Sequence, residues 1–144
     1  MKKILWVVAA ALVTSDFKVL LSRRPNGKNL AGFWEYPGGK IEQGETPEDA
    51  LCRELQEELC LTIKSEDLKP LTFASFSYPD FHLVMPVFVC RHWQGKPFPT
   101  EEQEIAFVDA STVGLDDKNY PMPPADNELS EVLRLWTEGC KSKA

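Results

Sequence analysis

With 144 residues, 43% of them hydrophobic and 26% charged, the chain has material for one folded domain over 1–144, and it carries no low-complexity segment or internal repeat. Its formal net charge of −6 argues against a nucleic-acid polymer as partner, because phosphate backbones are met by basic surfaces, but leaves room for a single nucleotide whose charge a metal ion offsets. Four scattered cysteines (Cys52, Cys60, Cys90, Cys140) with no C-x-x-C pair, and only His82 and His92 beside them, speak against a zinc site and a disulfide framework and fit a reducing cytoplasm.

The N-terminal MKKILWVVAAALV imitates a secretory leader, with a basic start and an apolar run. Its Val and Ala content and the returning segment SDFKVLLSRR favour a hairpin instead: a strand over 4–14, a turn at Ser15-Asp16 and a strand over 17–22. The run is too short to span a membrane. RRPNGKNLAG reads as a loop, and FWEYP as a short extended piece that Gly38-Gly39 ends. Thr46-Pro47-Glu48-Asp49 predicts a helix start, with Thr46 as N-cap, Pro47 in the first position and two acids at the positive end of the dipole. That helix should run from 47 to 59, with Leu51, Leu55 and Leu59 as its apolar stripe. LTFASFSY and FHLVMPVFVCRHW read as strands around a Pro79-Asp80 turn, the second an edge or bulged strand because of Pro86. GKPFP is a turn, IAFVDAS a last strand and YPMPPADN an irregular loop. A final helix over 126–138 carries Leu129, Val132, Leu133 and Trp136 at helical spacing, and Asp126 is placed to cap it. The sum is an α+β fold, an α/β/α sandwich in which a mixed sheet is flanked by two helices.

RELQEELC, residues 53–60, is the stretch where chemistry is to be weighed against an ordinary helix surface. Glu54, Glu57 and Glu58 share one helical face at spacings of three and four residues, beside the leucine stripe. An ordinary solvated surface accounts for such a face, but like charges there repel unless a cation joins them. Mg²⁺ takes a few carboxylates together with water and substrate phosphates, which makes the three glutamates candidate metal ligands. Arg53 is placed to orient a carboxylate, and Gly38-Gly39 to bring backbone close, with the Gly38 carbonyl as a further ligand. A surface arginine and a simple turn are the plainer alternatives.

GGKIEQGETPEDALCRELQEELCL, with Gly39, Glu45 and then Arg53-Glu54-Leu55-Gln56-Glu57-Glu58 at fixed spacing, resembles the Nudix box, G-x5-E-x7-R-E-U-x-E-E-x-G-U, where U is aliphatic. Every charged position is filled. The departure is Cys60, where the family has a glycine that ends the helix. A cysteine there is expected to cost about 1 kcal/mol or to shift the turn.

The resemblance implies hydrolysis of a nucleoside diphosphate linked to another group. It implies Mg²⁺ or Mn²⁺ held by Gly38, Glu54, Glu57 and Glu58, and Glu54 as candidate general base. Glu45 and Gly39 become structural, with Glu45 pairing to Arg53. Over nearly its full length the chain is similar to MutT-type pyrophosphatases, through LLSRRP, AGFWEYPGGKIEQGETP, FHLVMPVF and PMPPAD in order. Those enzymes convert 8-oxo-dGTP to the monophosphate and pyrophosphate, cleansing the nucleotide pool.

Carried over by position, Arg24 would contact the nucleotide, and Glu101 would act as ligand or base near the metals. Asp126 would read the purine edge. Tyr78 and Phe81 are set to pack the base. Loop, cap or core roles are the alternatives for each. WEYPGGK and PPAD also resemble pyrimidine-preferring pyrophosphatases acting on dCTP or 5-methyl-dCTP. A non-catalytic nucleotide-sensing domain is the remaining alternative, disfavoured by the full glutamate set. The expected partner is a nucleotide, with no membrane, in a monomer or weak dimer.

Overall fold

The computed structural model describes residues 2–25 and 32–143, so part of the predicted RRPNGKNLAG loop lies outside the described residues. In chain order the elements are β1 (Lys3–Leu12), β2 (Lys18–Arg23), β3 (Trp34–Glu35), β4 (Gly38–Lys40), α1 (Pro47–Leu59), β5 (Lys69–Ser77), β6 (Phe81–Cys90), β7 (Glu104–Asp109) and α2 (Pro124–Ser142). A mixed sheet runs β4-β1-β6-β5 and a smaller antiparallel one β3-β2-β7. Alternation along β1 sends Val8, Ala10 and Leu12 into one apolar cluster with Leu51, Leu55 and Leu59 of α1. Ala9, Ala11 and Val13 enter the other, with Leu129 and Leu133 of α2. This is the α+β sandwich expected, with a helix on each face of the main sheet. Among the described residues no helix is long and apolar enough to cross a membrane.

The structure departs from the expected layout in four places. The first hairpin is only its turn: Val13 bridges Val19 and the Thr14 N–H donates to the Lys18 carbonyl at 2.8 Å, after which β2 leaves β1. Both faces of β2 are buried, Leu20 on the α1 side and Val19 and Leu21 on the α2 side, so it pairs with β3 and β7 as the wall of the second sheet. Pro86 does not mark an edge, because β6 lies between β1 and β5. The missing N–H is accommodated locally: the β1 ladder runs from Lys3↔Phe81 to Trp6↔Val84 and resumes at Ala9↔Val87. Gly38-Gly39 does not end the extended segment but forms β4, paired to Val8 and Ala9.

The fourth departure is α2, which begins at Pro124 with Pro123 in the N-cap position. Proline pre-sets the first helical turn and has no N–H to satisfy there. Asp126 is therefore the third helical residue and faces inward, 7% exposed, rather than capping.

Cys60 resolves in favour of strain over a shifted turn. It adopts the left-handed conformation (φ 57°, ψ 30°), its N–H donates to the Gln56 carbonyl at 3.1 Å, and the Leu61 N–H reaches back to Leu55 at 3.2 Å. This is the closing turn that glycine makes without cost. Cys60→Gly is expected to stabilise the fold by about 1 kcal/mol, raising Tm by about 3 °C in thermal melts. An unchanged or lowered Tm would show that the turn is not strained.

Candidate active site

The Thr46 hydroxyl accepts the Asp49 N–H at 3.1 Å, which starts α1 in the register that aligns its acidic face. Arg53 is the hub of that face. Its Nε and Nη2 donate to the two Glu45 oxygens at 2.8 and 2.9 Å, and Nη2 also to the Lys40 carbonyl at 3.2 Å. Its Nη1 donates to Glu54 at 3.0 Å and to Glu57 at 3.4 Å. The loop after β4 is thereby tied to the helix. The paired guanidinium holds the Glu45 carboxyl down at about 2, and Glu45 and Glu54 in turn raise Arg53.

Both glycines of β4 are required by close approach. A Cβ at Gly39 would lie 2.5 and 2.6 Å from the Glu54 carboxylate oxygens, and one at Gly38 would strike the Val8 carbonyl and lie 2.8 Å from the Ala9 Cα. β4 is thus pressed between β1 and the Glu54 carboxylate, which brings the Gly38-Gly39 backbone to the acidic face. Glu58 is half-buried; burial, and then the charges of Glu54 and Glu101, push its carboxyl up to about 8.

Among the described residues no three acidic, histidine or cysteine side chains are already gathered on one point as a cation would hold them. Arg53 is the physical reason, since it draws Glu57 and one Glu54 oxygen to itself. The donor set still fits a hard divalent ion: carboxylate oxygens only, beside glycine backbone, with the Glu58 carboxyl raised by burial and then by neighbouring negative charge.

In front of this face lies a cleft of about 250 Å³, lined by Arg24, Glu35, Gly38, Gly39, Glu58 and Glu101 among others. Arg24 Nε donates to Glu35 at 2.8 Å across it. Glu101 arrives from a loop strapped to the end of α1. The Thr100 hydroxyl donates to the Glu57 carbonyl at 2.8 Å, the Thr100 N–H to the Glu58 carbonyl at 3.1 Å, and Gln103 Nε2 to the same carbonyl at 3.2 Å. These carbonyls have no partner within the helix, so the strap completes the helix end as it places the loop. Gln103 also accepts the Glu101 N–H at 2.9 Å.

Glu35 and Gln103 were not singled out from the sequence. Glu35 carried a weak signal, as the one acid in FWEYPGG. Gln103 carried none, being a single loop amide.

Asp126 and Tyr78 sit apart from that lining. Asp126 Oδ2 accepts the Tyr36 N–H at 3.2 Å, and burial, then the Glu35 charge, push its carboxyl up to about 8 against the pull of that N–H and of Arg24. Burial raises the Tyr78 hydroxyl, and the Ala125 backbone beside Asp126 opposes that shift. Phe81 stacks on Tyr78 at 5.1 Å, closing the β5–β6 turn. The structure therefore brings Arg24, Gly38, Gly39, Glu54, Glu58 and Glu101 together. It leaves Glu57 exposed, and Asp126, Tyr78 and Phe81 outside the lining of the cleft.

The NUDIX domain model matches residues 5–136. The chain belongs to the Nudix hydrolase family. Within it the chain is of the MutT type, by relatives and by solved structures. It is 33% identical over 135 residues to the 8-oxo-dGTP diphosphatase of Escherichia coli K12, covering 94% of this chain and 100% of that one. It is 50% identical over 136 residues to the CTP pyrophosphohydrolase of the same organism, covering 88% and 89%. The MutT Nudix hydrolase of Burkholderia pseudomallei superposes with a TM-score of 0.76 at 27% identity, covering 90% and 98%.

Proposed function

We propose that this Nudix hydrolase cleaves a nucleoside triphosphate to the monophosphate and pyrophosphate, as a single cytoplasmic domain acting as a monomer or weak dimer in nucleotide-pool sanitation. The observation that carries the reading is the cleft in which Arg24, the Gly38-Gly39 backbone, Glu58 and Glu101 meet over Glu54. Nudix hydrolases generally need divalent metal ions. Here Glu54, Glu57, Glu58 and the Gly38 carbonyl would hold Mg²⁺ or Mn²⁺, which offsets phosphate charge and lowers the pKa of water when bound.

This chain's own residues do the rest. Arg24 steadies the nucleotide. Glu54, oriented by Arg53, accepts the proton of the attacking water, and Glu101 serves as second acid–base group or ligand. Water adds across one P–O–P anhydride, its oxygen going to phosphorus and one proton to the enzyme carboxylate. Tyr78 and Phe81 pack the base while Asp126 reads its edge.

Two bases fit. Full-length likeness to an 8-oxo-dGTP diphosphatase supports the oxidised purine. The higher identity to a CTP pyrophosphohydrolase supports a pyrimidine. So does the raised Asp126: a protonated carboxyl offers one donor and one acceptor, matching cytosine N3 and its amino group. The pyrimidine reading has the stronger support, which reverses the order suggested by sequence motifs. A panel of dCTP, 5-methyl-dCTP, 8-oxo-dGTP and dTTP, with and without Mg²⁺, tests it. Monophosphate and pyrophosphate are expected only with metal, with the highest kcat/KM for the cytosine nucleotides. Diphosphate and orthophosphate as products would overturn the reaction, and a higher kcat/KM for 8-oxo-dGTP would restore the purine.

A further inference from the structure

The Tyr36 side chain takes no part in the chemistry above, yet Tyr36 ties the segment before Gly38 to Asp126 and Ser130 of α2. Tyr36 is 4% exposed and Ser130 is fully buried. The Tyr36 N–H holds Asp126 at 3.2 Å, and its hydroxyl lies 2.7 Å from Ser130 Oγ, one turn further along α2. One residue therefore grips two successive turns of the helix, by backbone and by side chain. Along the chain it is followed directly by Pro37 and Gly38 and preceded by Glu35.

Proton counting orders this network. Ser130 Oγ lies 2.9 Å from the Asp126 carbonyl, which can only accept, and 3.2 Å from Met122 Sδ. A serine hydroxyl has one proton. Spent on the Asp126 carbonyl, it leaves Ser130 to accept from Tyr36. Space behind Ser130 is closed as well: a Cβ at Gly114 would lie 2.5 Å from the Ser130 Cβ, and Arg134 pins that turn by donating to the Val113 carbonyl at 2.6 Å.

We propose that Tyr36, through its hydroxyl bond to Ser130, is a positioning residue for base recognition, fixing the first turns of α2 so that Asp126 is held in register with the segment that links Glu35 of β3 to Gly38 of β4. The proposal rests on Asp126 as the base contact. With the hydroxyl gone, Tyr36 holds α2 through its N–H alone, and a carboxyl displaced by a fraction of an ångström no longer matches a base edge.

The test is steady-state kinetics of dCTP and 8-oxo-dGTP against dTTP for wild type, Tyr36→Phe, Ser130→Ala, the double variant and Asp126→Ala, each checked for folding by near-UV circular dichroism. Tyr36→Phe and Ser130→Ala are each expected to raise KM for the preferred nucleotide about tenfold, to change kcat less than threefold and to shrink discrimination against dTTP by a similar factor. The double variant should be no worse than either single one, because the two groups share one bond. If Asp126→Ala removes discrimination but Tyr36→Phe and Ser130→Ala keep it, the positioning role is wrong and the base reading stands. If Asp126→Ala keeps it too, the base reading fails and the proposal falls with it. A lower Tm with discrimination intact would reduce the bond to a structural one and overturn the proposal.

Discussion

Glu54→Gln is expected to lower turnover about a thousandfold while leaving the fold at least as stable as wild type. The two halves of this expectation come from the same geometry. Glutamine keeps the shape that fills the space over Gly39 and keeps an oxygen to accept from Arg53 Nη1, now at 3.0 Å, so the packing of β4 against α1 survives. What it lacks is a carboxylate to take a proton from water or to join a cation. It also removes a negative charge beside Glu58, whose carboxyl is pushed up by burial and then by Glu54 and Glu101. The folded state loses a repulsion that the unfolded chain does not feel. Pyrophosphate release at saturating Mg²⁺, read beside a thermal melt, separates the two effects. Wild-type turnover in the variant would remove Glu54 from the chemistry, and a large fall in Tm would mean that it holds the fold instead.

The helix to which this chemistry is assigned by proposal was legible because its signals are local and independent. Thr46, Pro47 and two acids mark the start, leucines every fourth residue mark the buried stripe, and both ends fall where expected, at Pro47 and Leu59. The acidic face follows from the same periodicity. The strands other than β4 were found, but not their partners, because pairing is set by which faces are buried. β2 hides both faces and joins a second sheet, and β6 is central despite Pro86. Glycine was misread for a related reason. A glycine pair looks like a stop until one sees β1 on one side and a carboxylate on the other.

Glu35 and Gln103 escaped because each acts alone. Gln103 matters only since the carbonyls at the end of α1 need donors, a demand that no pattern in PTEEQEIAF reveals. Asp126 was noticed as a base contact or a cap, and the proline that displaced it from the cap turned it inward, which is what raises its carboxyl.

That raised carboxyl makes pH a test of base choice. Hydrolysis of dCTP should be level from pH 6 to 7 and then fall as pH rises through about 8, approaching a tenfold loss of kcat/KM per unit at higher pH, with no matching fall for 8-oxo-dGTP. Cytosine presents an acceptor, N3, beside the donor N4–H, so it needs the proton on Asp126. The purine presents N1–H with an amino group on one side and a carbonyl on the other, and so satisfies an ionised or a protonated carboxyl. The groups facing Asp126 act in known directions: burial and Glu35 raise it, while the Tyr36 N–H and Arg24 oppose them.

The sign for stability is fixed by the same shift. The folded state keeps a proton that the unfolded chain releases above about pH 4, so this group's contribution declines as pH rises from there through about 8, by up to about 1.4 kcal/mol per unit. Asp126→Asn carries a donor and an acceptor at every pH. It should keep dCTP turnover level through pH 9 and lose that part of the decline in Tm. Parallel pH profiles for the two nucleotides, or an unaltered fall for dCTP in Asp126→Asn, would place the titrating group elsewhere.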